Sequence, residues 1–566
     1  MLHPPRTLSR RTAAHWATPA ALFALSLGAY LALALLWLPP DGLWSPDEGA
    51  KLLQLRSLRW EDGAPRYDLR YPGRDLDPGL VYAGVEPTSG LMAAGEGRLQ
   101  LRRLPVFPAL SWPLYALLGP PGLYLLPAVA GAASVAITAA LARPGPEALA
   151  AGLLVAAASP VAVYSALFWE HTPASCLGLA ALALAARDRP AGPWWAVGAL
   201  LAAAAYLRLE LAIFGGALLV AAWWLRAEER RGVLLAAAML GLALALYSPL
   251  HILLFGVAVP DNARYLFYPL LYLRGAGLVA VRDLLIGPPE ELGPETGLAG
   301  WAWAVAAVVA VGCAWAAPRP RGLLGMAAAV ALGVCAVAAA VVLNDLGEAR
   351  SAHGLLIAAP WAVVGLCGAR AAWRGGDPRA RLVVAIALLG LAGYTVGLVG
   401  LRAGSPHGGL EWGARFALTF YPLLALVAVH GLREGGERAA LTLLLALGLL
   451  GAGFQARGLW VIQRDKAHIA ALNTALAGLP AGPVVTDLWW LPFTGAPVYD
   501  RRAIFVTNEP EALAGWVERA RAAGLERFSF VTVGEDGPSA RGLRRGPERR
   551  VGAVRLVEVR ILEGGP

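Results

Sequence analysis

The sequence predicts an all-α polytopic membrane protein that ends in a small soluble α/β domain. Three observations predict this class: a very apolar composition, a series of long apolar runs separated by short arginine-rich connections, and a change to soluble composition near residue 457. Of the 566 residues, 57% are hydrophobic and only 15% are charged, and the mean hydropathy is +0.56. Soluble globular proteins of this length do not have such a composition, so a soluble class is excluded.

The first apolar run, from Thr18 to Leu38, is predicted to be a retained membrane anchor. It is longer than the hydrophobic region of a signal peptide, and no small-residue cleavage site follows it. Arg6, Arg10 and Arg11 precede it and favour a cytoplasmic N-terminus, because positive residues stay on that side of the membrane. The other arginine clusters also lie between apolar runs. This pattern explains the net charge of +9 without a nucleic-acid partner.

With these clusters as cytoplasmic markers, the chain is predicted to cross the membrane about thirteen times and to end outside. The apolar piece at 106–118 is too short to span and is predicted to lie at the interface. Residues 1–456 would then form the membrane domain, with a large outer loop at 39–104. Beyond the first run, spans are predicted at about 122–142, 147–166, 172–186, 193–207, 211–225, 232–255, 299–317, 322–343, 354–370, 380–401, 414–431 and 437–456.

Residues 457–566 are predicted to form an extracytoplasmic domain of strands and helices. Its predicted elements are a helix at Glu511–Ala523 and strands at Val484–Asp487, Ile504–Thr507, Phe528–Val533 and Val551–Ile561. The domain has no Gly-rich phosphate loop, so nucleotide binding is not indicated. The four cysteines of the chain fall within apolar runs rather than at a metal-ligand spacing, and we interpret them as packing residues.

Two adjacent carboxylates, Asp47 and Glu48, follow the first apolar run and are candidates for catalysis. An acid at the membrane surface can accept a proton from a water-borne substrate while the bilayer presents a lipid-borne substrate beside it. The same stretch also has the form of a helix-capping box, with Ser45 as N-cap, Pro46 at the first helical position and Glu48 reaching back to the backbone. The box does not require Asp47. Asp47 is therefore the better catalytic candidate, and Glu48 is the residue committed to the cap.

Polar residues also interrupt two turns between apolar runs. Arg208 and Glu210 lie in a turn that the predicted topology places at the outer boundary of the membrane. Glu170 and His171 lie in the outer turn after the third span. This second turn fits a substrate contact, and it fits equally well a polar tip beside interfacial aromatic residues.

The acidic motif and the overall layout resemble the GT-C membrane glycosyltransferases. Within that superfamily the sequence is similar to the glycosyltransferase family 39-like branch, which contains protein O-mannosyltransferases and the bacterial lipid A aminoarabinose transferase. Ser-Pro-Asp-Glu-Gly at 45–49 is similar to the acidic motif of this branch, and Leu-Arg-Leu-Glu at 207–210 is similar to a polar turn in it. Gly-Gly-Leu-Glu-Trp-Gly-Ala-Arg-Phe at 408–416 looks like a basic-residue entry to a late span. The resemblance covers most of the membrane region and does not assign the C-terminal domain.

The resemblance implies inverting transfer of a sugar from a polyprenyl phosphate to an acceptor on the outer side of the membrane, with Asp47 as general base. The leaving lipid phosphate needs a cation, and arginine suits this role because its planar fork can hold two phosphate oxygens. Arg208 and Arg415 are the first candidates. Arg264 and Arg350 also lie near the predicted outer boundary, where an interfacial anchor or an ion pair is the favoured interpretation.

The expected partners are the polyprenyl-phosphate sugar donor, membrane lipid, and an acceptor that could be a protein, a lipid or a glycan. No cofactor is required, and the sequence does not support a divalent metal. The string Asp75-Leu76-Asp77 matches a metal-binding DxD motif, but no nucleotide-binding fold surrounds it. The predicted location is the inner (cytoplasmic) cell membrane.

Two alternative functions remain open at this stage. A surface-glycan polymerase or ligase would use the same lipid-linked donors and would differ in its acceptor. A polytopic transporter or flippase would move an anionic lipid-linked substrate through buried charged residues. The inverted repeats expected of a transporter are not evident in the sequence.

Overall fold

The computed structural model describes residues 10–61, 64–67, 69–84, 91–94, 98–101, 104–187, 193–255, 354–401, 412–435, 438–535, 538 and 542–562. Within these residues the chain is mostly helical. The helices, in chain order, are α1 (Arg10–Ala32), α2 (Pro46–Ser57), α3 (Val106–Leu118), α4 (Leu125–Leu141), α5 (Pro146–Ala157), α6 (Val161–Ser165), α7 (His171–Ala185), α8 (Trp194–Leu207), α9 (Leu211–Leu225), α10 (Arg230–Phe255), α11 (Leu355–Ala358), α12 (Ala362–Arg374), α13 (Pro378–Leu401), α14 (Phe420–Gly435), α15 (Arg438–Ala477), α16 (Leu491–Thr494) and α17 (Pro510–Ala522).

Five of the described helices have the length and apolarity of membrane spans. They cover Ala17–Trp37, Pro120–Leu141, Ala227–Leu253, Pro378–Val396 and Leu441–Ala477. Shorter apolar helices accompany them, and α8 and α9 agree closely with the spans predicted at 193–207 and 211–225. The predicted helical class with several apolar helices is therefore confirmed. The number of thirteen crossings stays a prediction, and the spans predicted at 299–317 and 322–343 lie outside the described residues.

Two of the predicted spans are wrong as single helices, because a proline breaks each of them. The segment predicted at 147–166 divides into α5 and α6 at Pro160, and the segment at 354–370 divides into α11 and α12 at Pro360. Proline cannot donate a backbone hydrogen bond, and it disfavours helical geometry in the residue before it. The predicted spans were based on the length of the apolar runs alone, so they did not take these prolines into account.

Buried side chains satisfy the carbonyl groups that these breaks leave without helical partners. Trp361 Nε1 donates to the carbonyl oxygen of Ala158 at 2.6 Å, and Gln455 Nε2 donates to the carbonyl oxygen of Ala358 at 2.6 Å. Helix breaks are tolerated in an apolar setting when neighbouring helices supply such partners. The two breaks are therefore built into the packing of the helices.

The chain divides into two compact units. The first contains α1, the helices from α4 to α14 within the described residues, and α15 as far as Val461. The second contains mainly Leu35–Leu123 and the chain from Ile462 onward. In the first unit α1 packs on α4, α7 on α8, α9 on α13, and α12 on α14. The boundary predicted at residues 456 and 457 lies inside α15, which continues without interruption to Ala477.

The second unit is built on a five-stranded mixed sheet. The C-terminal strands are β6 (Val484–Thr486), β7 (Ile504–Val506), β8 (Arg527–Thr532), β9 (Leu543–Val551) and β10 (Val554–Ile561), and they follow the order β7-β6-β8-β10-β9. Strand β6 runs parallel to β7 and β8, whereas β10 is antiparallel to β8 and β9. Helix α17 buries Trp516 against the sheet, with ring centroids 4.8 Å from Phe528 and 5.3 Å from Phe505. The predicted small α/β sheet is confirmed; its place outside the membrane stays a prediction.

The strand predicted at Val551–Ile561 is only half of a hairpin. Its first residue ends β9, the chain turns at Gly552, and β10 begins at Val554. Strand β9 was missed because its sequence, Leu-Arg-Arg-Gly-Pro-Glu-Arg-Arg-Val, lacks the alternation of a half-buried strand. It is an exposed edge strand, where charged residues and proline are common. On it the pKa of Glu548 falls to about 2, because Arg555 and Arg550 donate hydrogen bonds to its carboxylate.

The loop after α1 belongs to the same unit as this sheet. Besides α2 and α3 it contains short strands, β1 (Leu58–Glu61), β2 (Ala64–Tyr67), β3 (Leu69–Arg70), β4 (Leu91–Ala94) and β5 (Arg98–Leu101). The backbone N–H of Val506 on edge strand β7 donates to the carbonyl oxygen of Tyr82 at 2.8 Å. The loop therefore covers an edge of the sheet.

The DxD string lies in this loop, and its two acids have different surroundings. Asp75 is exposed, whereas Asp77 is fully buried and accepts hydrogen bonds from the backbone N–H groups of Val81 at 3.0 Å and Tyr82 at 2.7 Å. Burial, together with the nearby Asp77 carboxylate, raises the pKa of Tyr71. Asp77 therefore organises the turn that reaches β7.

A close approach in the second unit makes one glycine irreplaceable. A Cβ atom on Gly49 of α2 would overlap the backbone carbonyl of Phe493 in α16. We expect Gly49→Ala to destabilise the protein by about 1–3 kcal/mol, because backbone cannot move aside as a side chain can. Gly28→Ala is the matched control, since nothing lies within 4 Å of the Cβ atom it would add. Thermal unfolding followed by circular dichroism should separate the two variants, and equal melting temperatures would contradict the packing described.

Candidate active site

The predicted capping box is present at the start of α2. Ser45 has an extended backbone, and its Oγ accepts a hydrogen bond from the backbone N–H of Glu48 at 3.3 Å. The carboxylate of Glu48 reaches back and accepts from the backbone N–H of Trp44 at 2.6 Å. This donor belongs to the residue before the N-cap. Two backbone donors at the helix start are thereby satisfied.

The two adjacent acids differ in burial as well as in partners. Glu48 is fully buried by its role in the cap, whereas Asp47 is only partly buried. Helix α2 also buries Lys51 and Gln54, which follow Glu48 at intervals of three residues along one side of the helix. A helix that buries a row of polar residues needs polar surroundings for them. The cap holds the start of this helix and therefore the direction of Asp47.

A second polar cluster lies in the first unit, where Arg208 joins two carboxylates. Its Nη1 lies 2.8 Å from Glu170 Oε1, and its Nε lies 2.6 Å from Glu210 Oε1. The side chains of Arg208, Glu170 and Glu210 are 9%, 4% and 11% exposed. The two turns that the sequence analysis singled out separately therefore meet in one buried ion cluster.

Aromatic rings lie beside the cluster, and they also pack against a second guanidinium, that of Arg415. Arg415 is 3% exposed, and its Cζ lies 4.7 Å from the ring centroid of Trp169 and 4.9 Å from that of Phe416. The Cζ of Arg208 lies 5.2 Å from the same Phe416 ring. His171 stacks among these rings, 5.1 Å from Trp169 and 6.0 Å from Phe416. Cation–π attraction of this kind is strongest where water is excluded.

The backbone before Arg415 is held by tyrosine hydroxyl groups. The Tyr164 hydroxyl accepts a hydrogen bond from the backbone N–H of Trp412 at 2.8 Å, and the Tyr421 hydroxyl accepts from that of Ala414 at 3.2 Å. Gly413 lies between them with φ +68°, a backbone conformation that is unfavourable for residues with a Cβ atom. These contacts set the direction of the short 3₁₀ turn that carries Arg415.

Tyr394 on α13 belongs to this site and was missed by the sequence analysis. Its side chain is fully buried, and its hydroxyl has no hydrogen-bond partner among the described residues. It lies within electrostatic reach of Glu210 and Arg208, and its ring packs at 5.1 Å against Phe420. A tyrosine inside a long apolar helix gives no local sign of such a position. The adjacent hydroxyl groups of Tyr394 and Thr395, in an otherwise apolar run, are the only signal that could have drawn attention to it.

The predicted site residues therefore fall into two groups. Asp47 and Glu48 lie in the second unit, and the cluster around Arg208 and Arg415 lies in the first. A shared site of Asp47 with these arginines stays a prediction. Arg264 and Arg350 lie outside the described residues.

Proteins bind metal ions mainly through His, Cys, Asp and Glu side chains. Among the described residues, no group of three or more His, Cys, Asp or Glu side chains is arranged to hold a metal ion. The cluster of the first unit consists instead of arginines, carboxylates and aromatic rings. Within the described residues this site suits an anionic or polar ligand held by hydrogen bonds.

Fold and site together define a helical membrane protein with a buried polar site among its apolar helices. No protein-family model and no curated protein matches the sequence. Several solved structures are similar in arrangement. One is ArnT from Cupriavidus metallidurans bound to undecaprenyl phosphate, which is 15% identical to this chain. The match covers 97% of this chain and 99% of that chain, and the TM-score is 0.40. ArnT from the same organism in the apo state is 14% identical to this chain. The match covers 95% of this chain and 97% of that chain, and the TM-score is 0.41.

The third similar structure is the Archaeoglobus fulgidus oligosaccharyltransferase in the apo form. Its identity is 12%, the match covers 90% of this chain and 69% of that chain, and the TM-score is 0.45. ArnT is the lipid A aminoarabinose transferase, which is among the proteins that the sequence resemblance had named. Because all three TM-scores are below 0.5, the function proposed for this protein rests on its own residues.

Proposed function

We propose that this protein is a membrane glycosyltransferase that moves a sugar from a polyprenyl-phosphate donor to an acceptor on the outer side of the membrane. The observation that carries the proposal is the buried Arg415, seated on two aromatic rings beside the ion cluster of Arg208 inside an apolar helical unit. Charged residues in such a setting are costly, and they are retained where they bind a ligand or take part in transport or catalysis. The acidic motif at Asp47 adds the base that transfer requires.

The proposed reaction is a single displacement at the anomeric carbon. The Asp47 carboxylate takes the proton of an acceptor hydroxyl as its oxygen attacks the anomeric carbon from one side. The bond from that carbon to the phosphate oxygen breaks on the other side, and the lipid phosphate leaves with the electron pair. One displacement inverts the anomeric configuration. The leaving phosphate gains negative charge, which a nearby guanidinium stabilises.

The two arginines are suited to different parts of this task. Arg208 already holds two carboxylates, so an additional phosphate would be a third anion on one guanidinium. Arg415 is buried, and its guanidinium lies against the rings of Trp169 and Phe416. We therefore assign the lipid phosphate to Arg415 and the positioning of the acids to Arg208.

The proposal is tested by transfer of labelled sugar from a polyprenyl-phosphate donor in membranes that contain the protein. Labelled product that appears only with the protein and the donor together would support a transferase. Movement of the donor lipid across the bilayer without any product would favour the flippase alternative. Analysis of the labelled product as protein, lipid or glycan then identifies the acceptor.

Replacing Arg415 should weaken binding of the lipid phosphate. We expect Arg415→Gln to raise the dissociation constant for polyprenyl phosphate at least about tenfold, because charge-assisted hydrogen bonds are stronger than neutral ones. Arg457→Gln is the control, since Arg457 also stacks on an aromatic ring, Trp460, at 4.3 Å. Binding can be followed by tryptophan fluorescence in detergent. Equal affinity in both variants would remove Arg415 from the phosphate site.

A further inference from the structure

The carboxylates of Glu170 and Glu210, which both contact Arg208, are better suited to hydroxyl groups than to a phosphate. Arg208 donates to Oε1 of Glu170 and to Oε1 of Glu210, and all three side chains are nearly buried. The guanidinium of Arg208 is bonded to both carboxylates. A phosphate placed against it would meet two carboxylates in surroundings of low dielectric, where like charges repel strongly.

Tyr394 adds an unused hydrogen-bonding group at the same place. Its hydroxyl is fully buried, has no hydrogen-bond partner among the described residues, and lies within electrostatic reach of Glu210 and Arg208. Leaving a buried hydroxyl unpaired is unfavourable, and a phenylalanine would fill the same space without that cost. A ligand that forms a hydrogen bond with the Tyr394 hydroxyl would explain why tyrosine occupies this position.

The chemistry of the lining identifies the class of ligand. Carboxylates accept hydrogen bonds from hydroxyl groups, and a tyrosine hydroxyl can donate and accept. Apolar and aromatic walls with a few convergent polar groups are typical of sites for small molecules, and Phe416 and Phe420 supply such walls here. A neutral ring with several hydroxyl groups fits these polar atoms and these walls.

We propose that Tyr394, Glu210 and Glu170 bind the hydroxyl groups of the donor sugar, separately from the lipid phosphate at Arg415. This inference rests on the proposed function, because it divides the same donor between two neighbouring sets of residues. Arg208 is then a positioning residue that holds the two carboxylates toward the sugar. Tyr394 and the two acids determine which sugars are accepted.

The proposal is tested by comparing a donor with and without its sugar. The probes are polyprenyl phosphate and polyprenyl phosphate carrying a hexose, a pentose or an N-acetylhexosamine, with binding measured by tryptophan fluorescence. The quantity of interest is the ratio of the dissociation constant of bare polyprenyl phosphate to that of the best glycosylated donor. In the native protein we expect this ratio to exceed one by several fold.

Tyr394→Phe should lower this ratio by about threefold to tenfold, which is the size expected for one hydrogen bond. Its affinity for bare polyprenyl phosphate should not change, and neither should its melting temperature, because no protein hydrogen bond is lost. Tyr30→Phe is the matched control. The Tyr30 hydroxyl donates to the carbonyl oxygen of Ala156 at 3.0 Å, so this variant should lose stability and keep the ratio.

Other outcomes separate this inference from the proposed function. If the native protein binds neither lipid, the proposed function fails. If it binds both lipids equally, or if Tyr394→Phe keeps the native ratio, the sugar site is overturned while the phosphate site stands. If Tyr394→Phe weakens the binding of bare polyprenyl phosphate as much as that of the glycosylated donor, Tyr394 contacts the phosphate and the proposed division is wrong.

Discussion

Asp47→Asn is expected to abolish sugar transfer while the protein stays folded. An amide cannot take the proton of the acceptor hydroxyl, and loss of a general base costs about 10²–10⁴-fold in rate. Asp47 is only partly buried, and the hydrogen bonds of the helix cap are made by Ser45 and Glu48. The initial rate of label transfer measures the effect, and thermal unfolding by circular dichroism checks the fold.

The neighbouring acid provides the matched control for this variant. Glu48→Gln keeps a carbonyl oxygen that can accept from the backbone N–H of Trp44, so its rate should stay within a few fold of the native rate. Glu48→Ala removes that acceptor and should cost about 0.5–2 kcal/mol of stability. Transfer by Asp47→Asn at the native rate would take Asp47 out of the mechanism. Loss of transfer in Glu48→Gln alone would assign the base to Glu48.

The largest loss of stability is expected from Arg208→Met. Methionine matches much of the volume of arginine but leaves Glu170 and Glu210 buried without their shared cation. Removing one partner of a buried ion pair costs about 3–5 kcal/mol, because the remaining charge is uncompensated. Denaturant unfolding in detergent measures the change in free energy of unfolding.

Two further variants show whether charge is the cause of that loss. Adding Glu170→Gln and Glu210→Gln to Arg208→Met should recover much of the stability, because the stranded charges are then gone. Arg550→Met breaks an exposed pair with Glu548 on β9, and it should change stability little. If Arg208→Met is no more destabilising than Arg550→Met, the cluster is not the buried ion network described here.

Features that depend on neighbouring residues could be predicted from the sequence. The capping box at Ser45 and the ends of α8 and α9 follow from helix start signals and from the length of apolar runs. The prolines at 160 and 360 carried a local signal as well, and giving them more weight would have corrected two helices. Edge strand β9 could not be found by alternation, because neither face of it is buried.

The candidate site could be predicted only in part. Arg208, Glu210, Glu170 and Arg415 were noticed because charge is rare in apolar sequence, and such charge indicates function wherever it occurs. Their arrangement could not be predicted, since it depends on the packing of three separate segments. Tyr394 was missed because a tyrosine in a long helix is ordinary until its surroundings are known.

The sequence by itself determined the class of the protein, the course of most of its described helices and the presence of a cap beside Asp47. These features come from short-range physics: the length of apolar runs, backbone capping and the placement of charge. Only the tertiary structure decided that Glu170 would join the local pair of Arg208 and Glu210, and that the loop after α1 would cover the C-terminal sheet. Such contacts join residues far apart in the chain, and their energy depends on burial and exclusion of water, which arise only when the segments pack.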